Sequence, residues 1–522
     1  MENKDEIIKL IPKHKKGIWN IIFSRLMIIV LLILIQVGVI FTVYGWLNDY
    51  FEYFKIVQAV FSIGMIFYLF NCSMDYSAKL TWLFLIMLVP VPGTILLWYT
   101  QVNLGHRTVK ARVESLIHDT KDKLEQKENV IHTPALVQSG TDDLCRYLNR
   151  SGCFPIYENT QVKYFPLGEE KFEAMLEELN KAEKFIFMEY FIIEEGYMWG
   201  KILAVLAEKA KQGVDVRVMY DGMCEVTLLT HDYPERLAKL GIKCKAFSPI
   251  RPFISTHYNY RDHRKILVID GKTAFNGGVN LADEYINKIE RFGHWKDTAV
   301  MLKGEAVQSF TLMFLQMWNI SERTPEWDDF LALPDDAKQD DGYVMPFGDC
   351  PLDEDKVGES VYMDILYRAK SYVHIMTPYL ILDNELETAL KYAAQRGVDV
   401  KLILPGIPDK TTAYALAKTQ YRELVKAGVK IYEYTPGFVH AKVFVSDDEK
   451  ATVGTINLDY RSLYHHFECA TYLYRKSCIP EIEKDFQETL SKCREVSLET
   501  IKNEKFKYKL IGSVMKLVAP LM

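Results

Sequence analysis

The chain has 522 residues, is 49% hydrophobic and 25% charged, and carries a formal net charge of −6. That length allows two or three domains, the composition excludes a disordered chain or a body lying wholly in a membrane, and the acidic balance gives no global footprint for nucleic acid. Nine scattered cysteines, without a CxxC pair, exclude a disulfide framework or a cysteine zinc site and read as free thiols in a reducing compartment.

Residues 26–46, LMIIVLLILIQVGVIFTVYGW, are an almost unbroken apolar run, of the roughly 20 residues a helix needs to cross a bilayer. A second apolar stretch covers residues 53–70, and a third, LTWLFLIMLVPVPGTILLWY, residues 80–99. Trp46, Trp82, Trp98 and Tyr99 stand at or near their ends, as interfacial aromatics do. The first run is too long, and lacks a small-residue cleavage site, for a removable signal peptide. A buried helical hairpin is the competing reading, but three such runs in succession are hard to bury. The expectation is an N-terminal membrane region over residues 1–105 with two to three spans, making the chain an integral, multi-pass protein of the cell membrane. Lys13, Lys15, Lys16 and Arg25 precede the first run and Arg107, Lys110 and Arg112 follow the third. Both flanks therefore favour the cytoplasmic side, which three crossings cannot satisfy. The second stretch is the shortest and opens with Lys55 and Gln58, which fits a re-entrant segment.

The remaining four hundred residues contain an internal repeat, the feature that most changes a fold reading. KFIFMEYFI (184–192) precedes a helical stretch and then KAKQGVDVRVMYDG (209–222). SYVHIMTPYLI (371–381) precedes a helical stretch and then AAQRGVDVKLILPG (393–406). HRKILVIDGKTAFNGGVN (263–280) is matched by HAKVFVSDDEKATVGTIN (440–457), with His, Lys, Asp, Gly and Asn at identical spacings. Short Val/Ile/Phe-rich strands alternating with helices predict an α/β fold with a substantially parallel sheet. Gly213 and Gly397 fit helix C-caps. The expected organisation is a first α/β/α half at 106–335, a linker at 336–356, a second half at 357–500 and an amphipathic tail at 501–522, the halves pairing into one pseudo-symmetric catalytic unit. In the tail, Lys505, Lys507, Lys509 and Lys516 stand among apolar residues, which suits a segment lying on an anionic membrane surface. A terminal helix packed on the body suits it equally.

Residues two apart on a strand share a face, so His263 with Lys265, and His440 with Lys442, point the same way. Asp270 and Asp447, at odd spacing, belong to the other face or the following turn, and receive a positioning role within the catalytic motif. Two lysines and the two asparagines Asn280 and Asn457 supply charged and neutral donors for phosphoryl oxygens. Two histidines can divide the labour on a phosphodiester, one attacking phosphorus and the other protonating the departing oxygen. Each needs an anionic partner to fix its tautomer, and Asp297 in GHWKD and Glu468 in HFECA are candidates. One HxK on a strand is more often incidental than catalytic. Five residues repeated at identical spacing are not readily incidental. A metal reading lacks the second imidazole of an HxH pair, and lysine beside a cation is unfavourable. His465 and His466 are adjacent and face opposite ways on a strand, so at least one is expected to be packed or exposed.

At these residues the chain resembles the phospholipase D superfamily, whose HxKx4D motif is followed by a glycine and an asparagine. The resemblance extends to bacterial cardiolipin synthases over nearly the whole chain, through FMEYFII, DHRKILVIDGKTAFNGGVNLADEY, TPYLILDNELETAL, HAKVFVSDDEKATVGTINLDYRS and the closing FKYKLIGSVMKLVAPLM. It implies transfer of a phosphatidyl group from one phosphatidylglycerol to another, giving cardiolipin and glycerol through a phosphohistidine. It also implies His263 as nucleophile and His440 as general acid and then base, with Glu468 orienting His263 and Asp297 orienting His440 from the opposite halves. Phosphatidylglycerol and anionic membrane lipids are the implied partners, and no metal, cofactor or nucleic acid is implied. The first copy has Gly278 where the second has Thr455, and either leaves a backbone N–H available. A hydrolase using water, a transferase to another alcohol, a membrane-tethered nuclease and a scaffold with a degenerate repeat are the competing functions. The acidic charge speaks against the nuclease, since backbone-phosphate binding wants a basic groove, and two intact motifs speak against the scaffold.

Overall fold

The computed structural model describes residues 7–11, 34, 38–39, 41–47, 53–72, 74–102, 104–250, 260–332, 340–353, 355–517 and 519–521. Its first half contains β1 (Thr160–Phe165), β2 (Phe185–Tyr190), β3 (Asp215–Asp221), β4 (Lys243–Phe247), β5 (Arg261–Asp262), β6 (Lys265–Ile269), β7 (Thr273–Gly277), β8 (His294–Lys296) and β9 (Ala299–Gly304). Its second contains β10 (Tyr343–Asp349), β11 (Tyr372–Met376), β12 (Asp399–Pro405), β13 (Lys430–Tyr434), β14 (Gly437–Val439), β15 (Val443–Ser446), β16 (Lys450–Gly454), β17 (His466–Tyr474) and β18 (Cys493–Glu495). One sheet runs β1-β9-β7-β6-β2-β3-β4, and the other β10-β17-β16-β15-β11-β12-β13-β18. The order is the same strand for strand, with β18 added at one edge. All six residues of β2 are buried, which is why its sequence reads as a continuous apolar run rather than an alternation.

The expected parallel sheet is corrected to a mixed one. Along each main strand order only β2-β3-β4 and β11-β12-β13 run parallel. The strands on the other side of β2 and β11 pair antiparallel. The cause is local, because β6 joins β7, and β15 joins β16, through tight turns that permit only a hairpin. The helices Tyr197–Lys211 and Asn384–Gln395 make the parallel crossovers, and each is followed by a glycine at φ +93°, Gly213 and Gly397. The stretch 336–356 is not wholly a linker, because β10 lies within it and pairs with β17. The strand was hidden by Pro346, which a central strand would not tolerate but an edge strand does. The sheets share one apolar core, crossed by a polar tie in which Asn276 Nδ2 donates to Cys469 Sγ at 3.1 Å.

Among the described residues no helix is long and apolar enough to cross a membrane. Residues 26–46 lie largely outside the described residues. The second stretch forms the 18-residue helix Phe54–Asn71. The third is corrected from one span to two 13-residue helices, Tyr76–Leu88 and Pro90–Val102. Pro90 has no N–H and its ring disfavours helical backbone at the residue before it, and Val89 accordingly sits at φ −137°, ψ 81°. The three helices pack through Met65, Leu69, Trp82, Ile86 and Leu97 while leaving Val60, Phe67, Leu80, Met87 and Trp98 exposed. Residues ahead of this region dock on the first half: the N–H groups of Leu10 and Ile11 each donate to the Glu195 carboxylate at 2.8 Å. In the tail, helix Phe506–Lys516 buries Gly512 against Ala415 and Thr419, and exposes Phe506, Leu510 and Val514 on its other side.

Candidate active site

Two short parallel strand pairs stitch the halves together and build the site. β5 pairs with the start of β17, matching Arg261 to His466 and Asp262 to Phe467. β14 pairs with β8, matching Phe438 to Trp295 and Val439 to Lys296. The next residue along each chain is a predicted site residue. The His263 N–H donates to the Phe467 carbonyl at 2.9 Å, and the His440 N–H to the Lys296 carbonyl at 2.7 Å. This register sets His263 beside Glu468 and His440 beside Asp297. Nδ1 of His263 lies 2.8 and 3.0 Å from the two Glu468 carboxylate oxygens. Nδ1 of His440 lies 2.7 Å from Asp297 Oδ2. All four side chains are buried. Lys265 Nζ donates to the His263 carbonyl at 2.5 Å, and Lys442 Nζ donates to that of His440.

The other predicted residues sit further out. Asp270 and Asp447 occupy the hairpin turns at φ +53° and +55°. The Asp270 carboxylate accepts the N–H groups of Glu183, Lys184 and Phe185 at 2.7–2.8 Å. Asp447 accepts those of Lys370, Ser371 and Tyr372 at 2.8–2.9 Å. Each aspartate thus pins the hairpin to the head of the neighbouring strand, β2 or β11, away from the histidines. Asn280 is engaged at both ends, its Oδ1 accepting the Ile192 N–H at 3.1 Å and its Nδ2 donating to the Tyr285 hydroxyl at 2.8 Å. Asn457 Oδ1 is buried without a hydrogen-bond partner among the described residues.

The Gly278/Thr455 difference has a physical cause. The Thr455 hydroxyl donates to Glu468 Oε2 and accepts the Cys469 N–H at 3.0 Å. A Cβ on Gly278 would stand 2.1 Å from Asp297 Oδ1, so the first half has no room for such a side chain.

Burial is the leading electrostatic influence. It drives the His263 ring well below the ordinary imidazole value, reinforced by Lys265, His466, Lys442 and His440. It also holds His440 at about 4, with Lys442 adding and Asp297 opposing. Both rings are therefore neutral near pH 7. Burial lowers Lys265 to about 8 and Lys442 to about 7, against the pull of Glu468 and Asp297. The acids diverge. Burial pushes Glu468 well above the carboxylate range despite Lys265 and the Thr455 hydroxyl. Asp297 is pushed up by burial too, but the His440 ring and Lys442 outweigh it and hold the carboxyl low.

Sequence reasoning did not find the walls of the site. Tyr285, Trp295 and Phe438 stand with ring centroids 5.4, 5.4 and 5.8 Å from that of His440. Phe191 and His466 stand 4.9 and 5.3 Å from His263. Aligning GHWKD with HHFE on their acids would have paired Trp295 with His466 and flagged both.

A family model described as "Cardiolipin synthase, PLD-like domain" matches residues 175–318 and 362–490. An uncharacterized protein of Streptococcus mutans is 58% identical over 88% of this chain and its whole own length. Cardiolipin synthases of Alkalihalophilus pseudofirmus and Halalkalibacterium halodurans are 33% and 32% identical over 89% and 96% of this chain, and 94% and 100% of theirs. The phosphatidylserine synthase of Haemophilus influenzae shares the fold, with a TM-score of 0.54 and 15% identity over 69% of this chain and 93% of that one. On the family match and the near full-length kinship, the chain belongs to the cardiolipin synthase family, phosphatidyltransferases of the phospholipase D type.

Proposed function

We propose that this enzyme transfers a phosphatidyl group from one phosphatidylglycerol to the hydroxyl of a second, releasing glycerol and forming cardiolipin. The observation that carries the reading is the pair of crossed His–acid contacts, each histidine held at Nδ1 by a carboxylate of the opposite half. A proton kept on Nδ1 leaves the Nε2 lone pair free. His263 Nε2 attacks phosphorus, the phosphorus–oxygen bond to glycerol breaks, and His440 protonates the departing oxygen. The second lipid hydroxyl then gives its proton to His440 while its oxygen displaces Nε2 and restores His263. His263 suits the nucleophile because burial, with Lys265 and the surrounding rings, keeps its ring neutral. His440, beside an ionised Asp297, takes up a proton more readily once an anionic phosphodiester adds its charge. Lys265 and Lys442 supply cationic donors to the phosphoryl oxygens. Asp270 and Asp447 position the motif strands.

The aromatic wall around His440 supports a lipid hydroxyl over water as acceptor, since both compete for one intermediate and exclusion of water decides between them. Exposed apolar side chains on the N-terminal helices and the tail support a multi-pass location in the cell membrane, with the site served by bilayer lipids. The test is purified protein in vesicles containing phosphatidylglycerol, with a chelator present and products followed by mass spectrometry. Cardiolipin and glycerol in equal amounts are expected, and His263→Ala and His440→Ala should each abolish both. Phosphatidic acid as main product would overturn the acceptor assignment.

A further inference from the structure

Two positions before each acid the halves carry different rings, Trp295 in β8 and His466 in β17. They occupy matching places, 5.4 Å from the His440 ring and 5.3 Å from the His263 ring. His466 is 7% exposed, and both its ring nitrogens are buried without a hydrogen-bond partner among the described residues. Unpaired buried nitrogens in a native protein call for an explanation such as a ligand. His466 Nδ1 lies 3.6 Å from Glu468 Oε1, the oxygen that also stands 2.8 Å from His263 Nδ1. One donor atom from each of His263, His466 and Glu468 falls within a span of 4.8 Å.

We propose that His263, His466 and Glu468 bind one divalent transition-metal ion of the zinc class, and that this ion switches the enzyme off. Two imidazoles and a carboxylate are a donor set for zinc, cobalt or nickel, while magnesium and calcium prefer oxygen ligands. Bonds of about 2.0–2.2 Å place neighbouring donors of a tetrahedral ion roughly 3–4 Å apart, so the donors need only small shifts. On binding, the His263 Nδ1 proton moves to Nε2, the Nδ1 lone pair goes to the metal, and any proton on Glu468 leaves to water. The nitrogen that must attack phosphorus then has no free lone pair. Lys265, Arg261 and Arg461 oppose the ion electrostatically, which favours a strongly liganded metal. Trp295 makes the matching place beside His440 unable to do the same. The inhibition rests on His263 being the nucleophile; the binding does not.

The test uses the full chain, stripped of metal with a chelator, then titrated with Co²⁺ while visible absorption and transfer in phosphatidylglycerol vesicles are followed. One equivalent should give a ligand-field band and at least a tenfold loss of activity, both reproduced competitively by Zn²⁺ and reversed by chelator. His466→Asn and His466→Phe should lose both the band and the inhibition, the inhibition being read in each variant against that variant's own metal-free rate. No band at stoichiometric Co²⁺, or a band and inhibition unchanged in both variants, would overturn the proposal. A band that depends on His466 in protein inactive on phosphatidylglycerol would uphold the site and count against the proposed function instead.

Discussion

Gly278→Ala is the smallest change that should break one half of the site and spare the other. The new Cβ would stand 2.1 Å from Asp297 Oδ1, 2.9 Å from its Cγ and 3.0 Å from the His440 carbonyl oxygen. Ordinary contact between such atoms begins at about 3.5 Å, so the carboxylate must retreat by more than about 1 Å. It cannot do so and keep its 2.7 Å contact with His440 Nδ1. A displacement of 1 Å in a catalytic group costs about 10²-fold, and failure to hold a catalytic histidine in its tautomer about 10⁴-fold. The expected loss in kcat is therefore roughly 10²- to 10⁴-fold, measured as cardiolipin formed in vesicles, with KM changed less. At the matching place Thr455→Ala removes a hydroxyl donor to Glu468 instead. A hydrogen bond between neutral groups contributes about 0.5–1.5 kcal/mol, and the loss should be roughly 2- to 13-fold. Thermal melts of both variants separate misfolding from misplacement. Gly278→Ala with a native melt and activity within about threefold of the parent would refute the reasoning.

Lys442→Met should raise the melting temperature at pH 6 while abolishing transfer, because burial lowers this lysine to about 7 from its ordinary value. A depressed lysine opposes folding fully below its folded pKa and progressively less as pH rises towards its unfolded value, so the gain should shrink from pH 7 to pH 10. The two buried histidines, both depressed, carry the same sign at lower pH: stability is full above about pH 6.5 and is lost as pH falls through the folded values, about 4 for His440, which a melt series across that window checks. Asp270→Asn should lower the melting temperature by several degrees yet leave kcat of the folded protein within a few-fold, since its carboxylate serves three backbone N–H groups of the neighbouring strand. Under the proposed membrane location, docking of residues 10 and 11 on Glu195 puts those residues on the same side of the bilayer as the catalytic unit. Tags at position 1 and at the C-terminus should be cleaved by protease from the same face of sealed vesicles, and cleavage from opposite faces would contradict that docking.

The repeat made the two-half architecture and the His–Lys pairs legible, because identical spacings in both copies survive without any knowledge of the fold. Sheet direction was misread although Asp270-Gly271 carried a hairpin signal, since the helical stretches between strands dominated the pattern. The break in the third apolar stretch was equally available in its paired prolines, Pro90 and Pro92. What no local pattern carries is the register between halves. Only the pairing of β5 with β17 and β8 with β14 brings Glu468 to His263 and Asp297 to His440, and only that register aims His466 at the same centre as His263. His465 and His466 were indistinguishable by periodicity alone. Asn280 was expected among the phosphate donors, yet its amide is used within the fold, a distinction set by neighbours distant in sequence.

The most direct test of the central claim is to catch the covalent intermediate. Protein mixed with phosphatidylglycerol is quenched within milliseconds at alkaline pH, where phosphohistidine survives, then digested and mapped by mass spectrometry. The account predicts a phosphatidyl adduct on the peptide carrying His263, absent in His263→Asn and accumulating in His440→Gln, where the first transfer is slowed less than the second. An adduct on His440 with none on His263, or transfer to cardiolipin with no adduct on either, would contradict it.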